Sequence, residues 1–410
     1  MINIIDKRKC CGCEACVQKC PKQCIDLIED EEGFLYPHVD RDKCINCGLC
    51  EKVCPVQKQA LCREPIATYA AKNRNEEIRL SSSSGGVFSS FAESVISKQG
   101  IVFGACFNGQ WSVCHSKAET TDECVRFRGS KYVQSHIGKA YKEVESFLKE
   151  GRDVLFSGTP CQVRGLLLYL GKDYDNLLTV DFICHGVPSP GVFRWYLQEE
   201  INNYARSASK NTVSFPPIHS IPKGDVLIPE GLEIEDIRFR DKREGWKKYS
   251  FVLTLAKASS DGKKNSVSSS YTLNNNPFLR GFLKDLYLRP SCHSCPTKSL
   301  KSGSDITIAD FWGINKVIPK LDDDKGINAV IINTEKGRIF FNDIEVEKVL
   351  ASFEDIQKYN VAICRSSSLP SNRSKVFSGT DGFIERVNRL TKPGLVERLK
   401  MIIKFVIRRK

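Results

Sequence analysis

Apolar positions change period several times between residues 66 and 315. The runs IATYAA (66–71) and IVFGACF (101–107) are short and rich in β-branched and aromatic residues, which predicts strands. Between them Val87, Phe88, Phe91, Val95 and Ile96 recur at helical spacing, which predicts a helix stopped by Gly100, with Ser81 to Ser84 as capping candidates. Further on, DVLFSG (153–158) and LLTVDFIC (177–184) read as strands. Each is followed by turn residues, TPCQ or HGVPSP, and then by a helical pattern, VRGLLLYL or GVFRWYLQEEI. Consecutive strand–helix units predict a parallel sheet whose strands open onto one carboxyl edge, the edge where α/β proteins hold ligands. Cys161 and Cys184 then occupy equivalent places on that edge. Residues 205–232 read as an irregular insertion, 237–256 as two strands flanking a basic turn, and DITIADFWG (305–313) as another strand preceded by Cys292-x2-Cys295.

Composition narrows the class. The 410 residues carry 61 Lys and Arg against 49 Asp and Glu, with 41% hydrophobic residues, which excludes wholesale disorder and leaves room for two or three domains. No run approaches the roughly 18 apolar residues of a membrane span. The N-terminus reaches cysteine before a signal-peptide apolar region develops, so the expected location is cytoplasmic. Basic residues are scattered with no stacking platform, which gives no support to nucleic-acid binding.

Cysteine usage changes the picture most. There are 19, ten of them within the first 54 residues, at the front of a long chain with no export signal. Metal or cluster ligation explains that better than a disulfide scaffold. The spacing C-x2-C-x2-C-x3-C-P occurs twice, at Cys10, Cys13, Cys16 and Cys20 before Pro21, and at Cys44, Cys47, Cys50 and Cys54 before Pro55. Zinc sites seldom use such a run. The doubled motif resembles the bacterial two-cluster ferredoxin, in which the fourth cysteine of each run ligates the other cluster. That resemblance implies an α+β ferredoxin-like module over 1–64 holding two 4Fe-4S clusters. Cluster I would use Cys10, Cys13, Cys16 and Cys54, and cluster II would use Cys44, Cys47, Cys50 and Cys20. Cys11, Cys24 and Cys62 are recruited by no spacing and read as free thiols or packing residues. The module holds ten Lys and Arg against eleven Asp and Glu, so the positive excess belongs to the remainder of the chain.

Cys292-x2-Cys295 alone is half a zinc site, a redox dithiol or half a cluster site. Adding Cys161 and Cys184 gives four thiolates, the number a cubane needs, and a third 4Fe-4S cluster is the expectation. The Ser/Gly-rich start of the helix near 85 is a candidate anion site.

The segments SSGGVFSS, RGSKYVQS, FSGTPCQVRGL, DFICHGVPSP, C-x2-C and DITIADFWG, in this order, resemble the beta-subunit family of coenzyme F420 hydrogenases and dehydrogenases. With a ferredoxin module in front, the arrangement looks like the input subunit of F420H2 dehydrogenases. The resemblance covers 66 to about 315 and implies an N-terminal-type region over 66–145, a C-terminal-type region over 150–315, an α/β flavin-binding reductase core, FAD and hydride chemistry. Matched to the family's flavin region are Ser84, Gly85, Gly86, Gly129, Ser130, Lys131, Tyr132, Gly158, Thr159 and Gln162. Its cluster cysteines match Cys161, Cys184, Cys292 and Cys295. His185 is the catalytic candidate, either donating to a flavin or substrate oxygen or bracing its loop; Asp310 reads as structural and Trp312 as packing.

The expected activity is that of an iron-sulfur flavoprotein oxidoreductase joining hydride exchange at FAD, with F420H2 or a related reduced coenzyme, to one-electron transfer through clusters. The alternatives are a ferredoxin-fed reductase of an organic substrate and a non-enzymatic electron-wiring subunit. Partners would be a redox protein or complex subunit and a small hydride donor or acceptor. Residues 316–410 are expected to form a mainly helical extension. Its basic amphipathic end, with Leu395, Leu399, Ile402, Ile403 and Val406 at helical spacing, could pack on its own domain or touch an acidic protein or an anionic membrane face.

Overall fold

The computed structural model describes residues 1–208, 218–258 and 264–392. The N-terminal module contains helix α1 (Ala15–Lys19), the antiparallel hairpin β1 (Ile25–Glu29) and β2 (Leu35–Val39), and helix α2 (Leu49–Lys52). There follow β3 (Ala67–Lys72), α3 (Glu76–Ser81), α4 (Val87–Ser97), β4 (Ile101–Phe107), β5 (Val113–Ala118), α5 (Thr121–Cys124) and α6 (Ala140–Lys149). The two strand–helix units are β6 (Val154–Gly158) with α7 (Pro160–Leu170), and β7 (Leu177–Phe182) with α8 (Pro190–Ala208). Strands β8 (Leu232–Asp241), β9 (Ser250–Ala258) and β10 (Lys264–Thr272) and helix α9 (Pro277–Leu283) come next. The described chain ends with β11 (Ile306–Asp310), α10 (Ile314–Val317), β12 (Asn328–Ile332), α11 (Glu335–Asn342), β13 (Glu347–Leu350), α12 (Phe353–Tyr359) and α13 (Phe383–Thr391).

Eight strands form one mixed sheet in the order β13-β3-β12-β11-β7-β6-β4-β5. Strands β11, β7, β6 and β4 are mutually parallel, and β3 runs with them because β12 is antiparallel to both β3 and β11. All five therefore open onto the same edge. The inner strands are apolar on both faces, as sheets covered by helices on each side must be: Val330, Ile331 and Ile332 of β12 are fully buried. A second, three-stranded antiparallel sheet, β10-β9-β8, packs its Ile237, Phe239, Phe251 and Leu253 against Phe193, Trp195 and Tyr196 of α8 and Phe278 of α9.

Residues 316–392 carry α11, α12 and α13, as a mainly helical segment should, but β12 and β13 also lie there and join the large sheet, so this part of the chain is built into the core and is not an appended extension. β12 sits between β3 and β11, inside the large sheet, and no local signal reveals that placement because it is a pairing with strands some 20 and 260 residues away in sequence. The basic segment at 393–410 lies outside the described residues. A second correction concerns α4. Its N-cap is Gly86, in the left-handed region at φ 78°, and no side chain caps it; Ser81 belongs instead to α3.

The N-terminal module shares a core with the sheet. Ala15 and Val53 pack with Ile101, Phe103, Val163 and Leu166, and Ala15 is fully buried. Its polar groups also serve the neighbouring helix. The Glu14 carboxylate accepts from the backbone N–H of Ile137 and Gly138 at 3.1 and 3.0 Å, and Gln18 Oε1 accepts from those of Tyr141 and Lys142 at 3.1 and 3.2 Å, which satisfies donors at the start of α6. Arg194 pairs with Glu29 at 2.6 Å and Arg373 with Glu32 at 2.5 Å.

Candidate functional site

The twelve cysteines carrying the cluster expectation line three cavities, four to each. Cys20, Cys44, Cys47 and Cys50 surround the outermost, whose rim includes the exposed Cys47. Cys10, Cys13, Cys16 and Cys54 surround the second. Cys161, Cys184, Cys292 and Cys295 surround the third, on the carboxyl edge of the large sheet. Among the described residues no three Cys, His, Asp or Glu side chains are gathered as a single metal ion requires. Four thiolates around a cavity are the donor set that a 4Fe-4S cluster takes.

The local sequence explains the first two cavities. Short turns hold successive cysteines toward one centre, and backbone donors reach the sulfurs, as Ile2 N–H does to Cys50 Sγ at 3.3 Å. The third is assembled from distant segments. Cys161 lies in the first turn of α7 because the helix begins at Pro160, capped by Thr159 and Gln162 in a reciprocal capping box. Cys184 follows β7, and Cys292 and Cys295 come from a short turn before β11. Val187 N–H donates to Cys292 Sγ at 3.4 Å, while the hydroxyls of Thr159 and Thr297 lie 3.2 and 3.4 Å from Cys161 and Cys295. The supposed extension closes this cavity: Ala362 and Ile363 line it, and Ser366 Oγ accepts from Cys295 N–H at 3.0 Å.

Charge near the cavities fits anionic contents. Arg289 is buried, and its hydrogen bonds go to Cys10 O at 2.7 Å, Leu35 O at 2.9 Å, Gln134 Oε1 at 2.9 Å and Cys10 Sγ at 3.4 Å, with the rings of Tyr36 and Phe34 at 4.3 and 5.3 Å. No carboxylate is among those partners, so a thiolate-bound cluster is the natural counter-charge for this guanidinium. Lys298 Nζ, beside the third cavity, donates to Cys184 O at 2.6 Å and Ala362 O at 2.8 Å. These charges favour the thiolate, but burial works against it. Burial pushes the Cys184 thiol well up and that of Cys292 to about 12, and contact with Cys11 followed by burial does the same for Cys161. Loading a cluster would therefore release protons.

The residues matched to a flavin region fall into two groups on the same edge. Ser84 Oγ donates to Ile327 O at 2.9 Å, Gly85 O accepts from Asn73 N–H, and Ser130 N–H donates to Ser83 Oγ at 2.6 Å, which joins the serine-rich turn to the Gly129–Tyr132 loop. Lys131 Nζ donates to the carbonyls of Arg126 and Arg128, and Tyr132 packs on Phe282 at 4.7 Å. Gly158, Thr159 and Gln162 stand at the end of β6, four strands along the sheet from β3, and Gln162 Nε2 reaches Ser135, which continues the Gly129–Tyr132 loop. Gln162 is tied to Ser135 and Thr159 and serves the α7 cap.

Between the two groups lie residues that sequence reasoning passed over. Arg240 is buried beneath Tyr249 at 4.4 Å and Trp312 at 5.5 Å and pairs with Asp310, yet its Nε and Nη2 have no hydrogen-bond partner, although Tyr132 is close enough to feel its charge. Asp310 also accepts from Trp246 Nε1 at 3.0 Å, and Trp246 stacks on Trp312 at 4.9 Å. Two buried donors without acceptors fit a ligand bearing phosphate or carbonyl oxygens, as a flavin dinucleotide does. The only sequence signal for Arg240 was its place in a basic stretch. His185 lines the third cavity with its Nε2 held by Asp285 at 2.6 Å and its ring edge-on to Phe282.

No helix among the described residues is long and apolar enough to cross a membrane. Residues 3–61 match the model of a 4Fe-4S dicluster domain, and residues 151–358, half of the chain, match that of the C terminus of the coenzyme F420 hydrogenase/dehydrogenase beta subunit. No curated protein matches the chain. A xenon-derivatised structure of the F420-reducing NiFe hydrogenase complex from Methanosarcina barkeri aligns at TM-score 0.44 and 16% identity, over 78% of this chain and 96% of that one. A cysteine-rich front with dicluster spacing, joined to a mixed α/β sheet that carries the matched region, identifies the chain as a member of the coenzyme F420 hydrogenase/dehydrogenase beta-subunit family with an N-terminal 4Fe-4S dicluster domain.

Proposed function

We propose that this chain is an iron-sulfur flavoprotein oxidoreductase that couples hydride exchange at FAD, with F420H2 or a related reduced coenzyme, to one-electron transfer through three 4Fe-4S clusters. The observation that carries this reading is the succession of three cysteine-lined cavities, each with four of the twelve expected ligands and one further cysteine (Cys24 or Cys11), from the exposed Cys47 to the carboxyl edge of the sheet. Such a row suits electrons crossing between a redox partner at the surface and a cofactor at the sheet. A flavin, when bound, exchanges electrons in pairs with a hydride carrier and singly with clusters.

The residues divide the work accordingly. The twelve cysteines hold the clusters, and Arg289 and Lys298 place positive charge beside the second and third. Arg240, together with the serine-rich turn and the Gly129–Tyr132 loop, would receive oxygens of the dinucleotide, with Tyr132 and Phe282 forming an apolar wall. His185 lines the third cavity, held there by Asp285, and would serve as a positioning residue for the groups bound beside it.

Anaerobic purification with iron, sulfide and flavin measured on one sample tests this. About twelve irons and one FAD per chain are expected. About eight irons with no flavin, after reconstitution with FAD, overturns the reading. Flavin retained without F420H2 oxidation by an artificial acceptor would instead assign a ferredoxin-fed reductase of another substrate.

A further inference from the structure

A second group of cysteines stands apart from the three cavities. Cys106 of β4 and Cys114 of β5 are directly opposed in the antiparallel ladder at the end of the large sheet, so their side chains leave the same face. Both are free thiols packed in one apolar cluster, Cys106 buried and Cys114 half-buried. Opposed residues of such a ladder have Cα atoms about 4.5 to 5.5 Å apart, inside the range of about 4.4 to 6.8 Å that a disulfide spans. Hydrogen bonds on either side of the two residues secure the register. Asn108 N–H donates to Ser112 O at 2.9 Å at the turn, and His115 N–H donates to His136 O at 2.8 Å on the outer edge of β5. The backbone therefore already holds the two sulfurs where a bond between them can close.

Two cations lie on the same face. Ser116, two residues beyond Cys114 on β5, accepts at its Oγ from Arg126 Nη2 at 3.2 Å, and Arg126 O accepts from Lys131 Nζ at 2.7 Å. Among the described residues neither cation is paired with a carboxylate; their other partners are the carbonyls of Lys117 and Arg128 and the ring of Phe127. Cys114, and then the charges of Arg126 and Lys131, hold the Cys106 thiol down to about 7 against its burial. A thiolate in an electropositive, partly exposed place is the reactive form of cysteine. We propose that Cys106 and Cys114 are a redox-active dithiol that reacts with hydrogen peroxide and closes to a reversible disulfide. The thiolate of the pair attacks a peroxide oxygen; an S–O bond forms, the O–O bond breaks, and the departing hydroxide takes a proton from solvent to become water. The second thiol then attacks the sulfenic sulfur, so that S–S forms, S–O breaks and its proton leaves with the hydroxide as a second water. The two sulfurs give up two electrons and the peroxide takes both. A small dithiol reverses the step by exchange. Neither sulfur belongs to the cluster sets, so nothing in this chemistry depends on what the three cavities hold.

The test uses the whole chain, purified anaerobically, exposed to hydrogen peroxide, quenched in acid, alkylated under denaturing conditions and digested with trypsin. No Lys or Arg lies between Gln99 and Ser116, so both sulfurs fall in one peptide, residues 99–117, which contains no other cysteine. Before peroxide this peptide should carry two alkyl groups. Afterwards mass spectrometry should find it without alkyl groups and lighter by two hydrogens, and dithiothreitol given before alkylation should restore both groups. Replacing either cysteine, in Cys106→Ser or Cys114→Ser, leaves the sulfenic acid without its resolving thiol, and in at least one of the two variants dimedone should capture it on the remaining sulfur. A wild-type peptide that keeps both alkyl groups at a peroxide dose that oxidises the exposed Cys364 overturns the proposal. So does a disulfide that joins this peptide to another, such as 118–126 with its Cys124, in place of the internal one. Absence of a dimedone adduct in both serine variants, each folded, would overturn the peroxide step.

Discussion

Replacing Arg289 by methionine keeps most of the side-chain volume and removes a buried positive charge beside Cys10. Three acceptors lose their donor: Cys10 O, Leu35 O and Gln134 Oε1. At about 1 to 3 kcal/mol for each buried group left unsatisfied, partly relieved by water, the change costs roughly 3 to 5 kcal/mol, concentrated where the N-terminal module meets the sheet. The electrostatic effect is separable. The guanidinium is 3.4 Å from Cys10 Sγ, and a redox charge spread over the cluster lies at about twice that distance. Coulomb's law with an effective dielectric constant near 20 then gives roughly 2.4 kcal/mol, or about 100 mV for one electron. The expected result is a second-cluster potential lowered by about that much, with the outermost cluster unmoved, read by EPR titration of the anaerobic protein. Arg289→Lys should restore the sign of the charge and part of the potential while recovering little of the stability, because a point ammonium cannot reach all three acceptors. A folded, fully loaded Arg289→Met protein whose second cluster titrates at the wild-type potential would refute the reasoning.

Other expectations follow from single side chains. Cys292→Ser should lose about four irons and leave both N-terminal cluster signals intact; loss of only one metal ion per chain would assign zinc to the third cavity. Arg240→Leu should weaken flavin retention without changing iron content, measured by FAD released on gel filtration. His115 is buried between Ser157 O at 2.9 Å and Ser135 Oγ at 3.0 Å, and burial pushes its imidazole down to about 4. Between that value and pH 6.5 the unfolded chain takes up a proton the folded chain refuses, so stability falls as pH falls through this window, by up to roughly 3 kcal/mol. A denaturant midpoint that is as acid-sensitive in His115→Gln as in wild type counts against that source. Gly165→Val should displace Cys13 and broaden the second cluster's EPR signal while sparing the outermost one, since a Cβ there already meets Cys13.

The ligand spacing in the first 54 residues could be read directly because each turn positions three of its own cysteines, while the fourth of each set comes from the other run. The strand–helix units at 153–170 and 177–201 were equally readable, since period and turn residues specify them. Where reading failed, distant pairing decided the outcome. Nothing within NAVII says that it will lie between β3 and β11, and nothing around Ala362 to Ser366 says that this loop will close a cavity built from Cys161, Cys184, Cys292 and Cys295. The serines at 81–84 looked like caps of α4 by composition, but Ser81 is the last residue of α3 and the left-handed Gly86 is the N-cap of α4.

Sequence alone thus determined what is set within one turn or one amphipathic period: the doubled cysteine run, the parallel strand units and the family they resemble. The meaning of isolated residues was left to tertiary structure. Arg289 read as the residue before a proline and Arg240 as one basic residue among several. Packing gives each its role by excluding water, so that a guanidinium without a carboxylate and a pair of donors without acceptors must be answered by whatever the site holds.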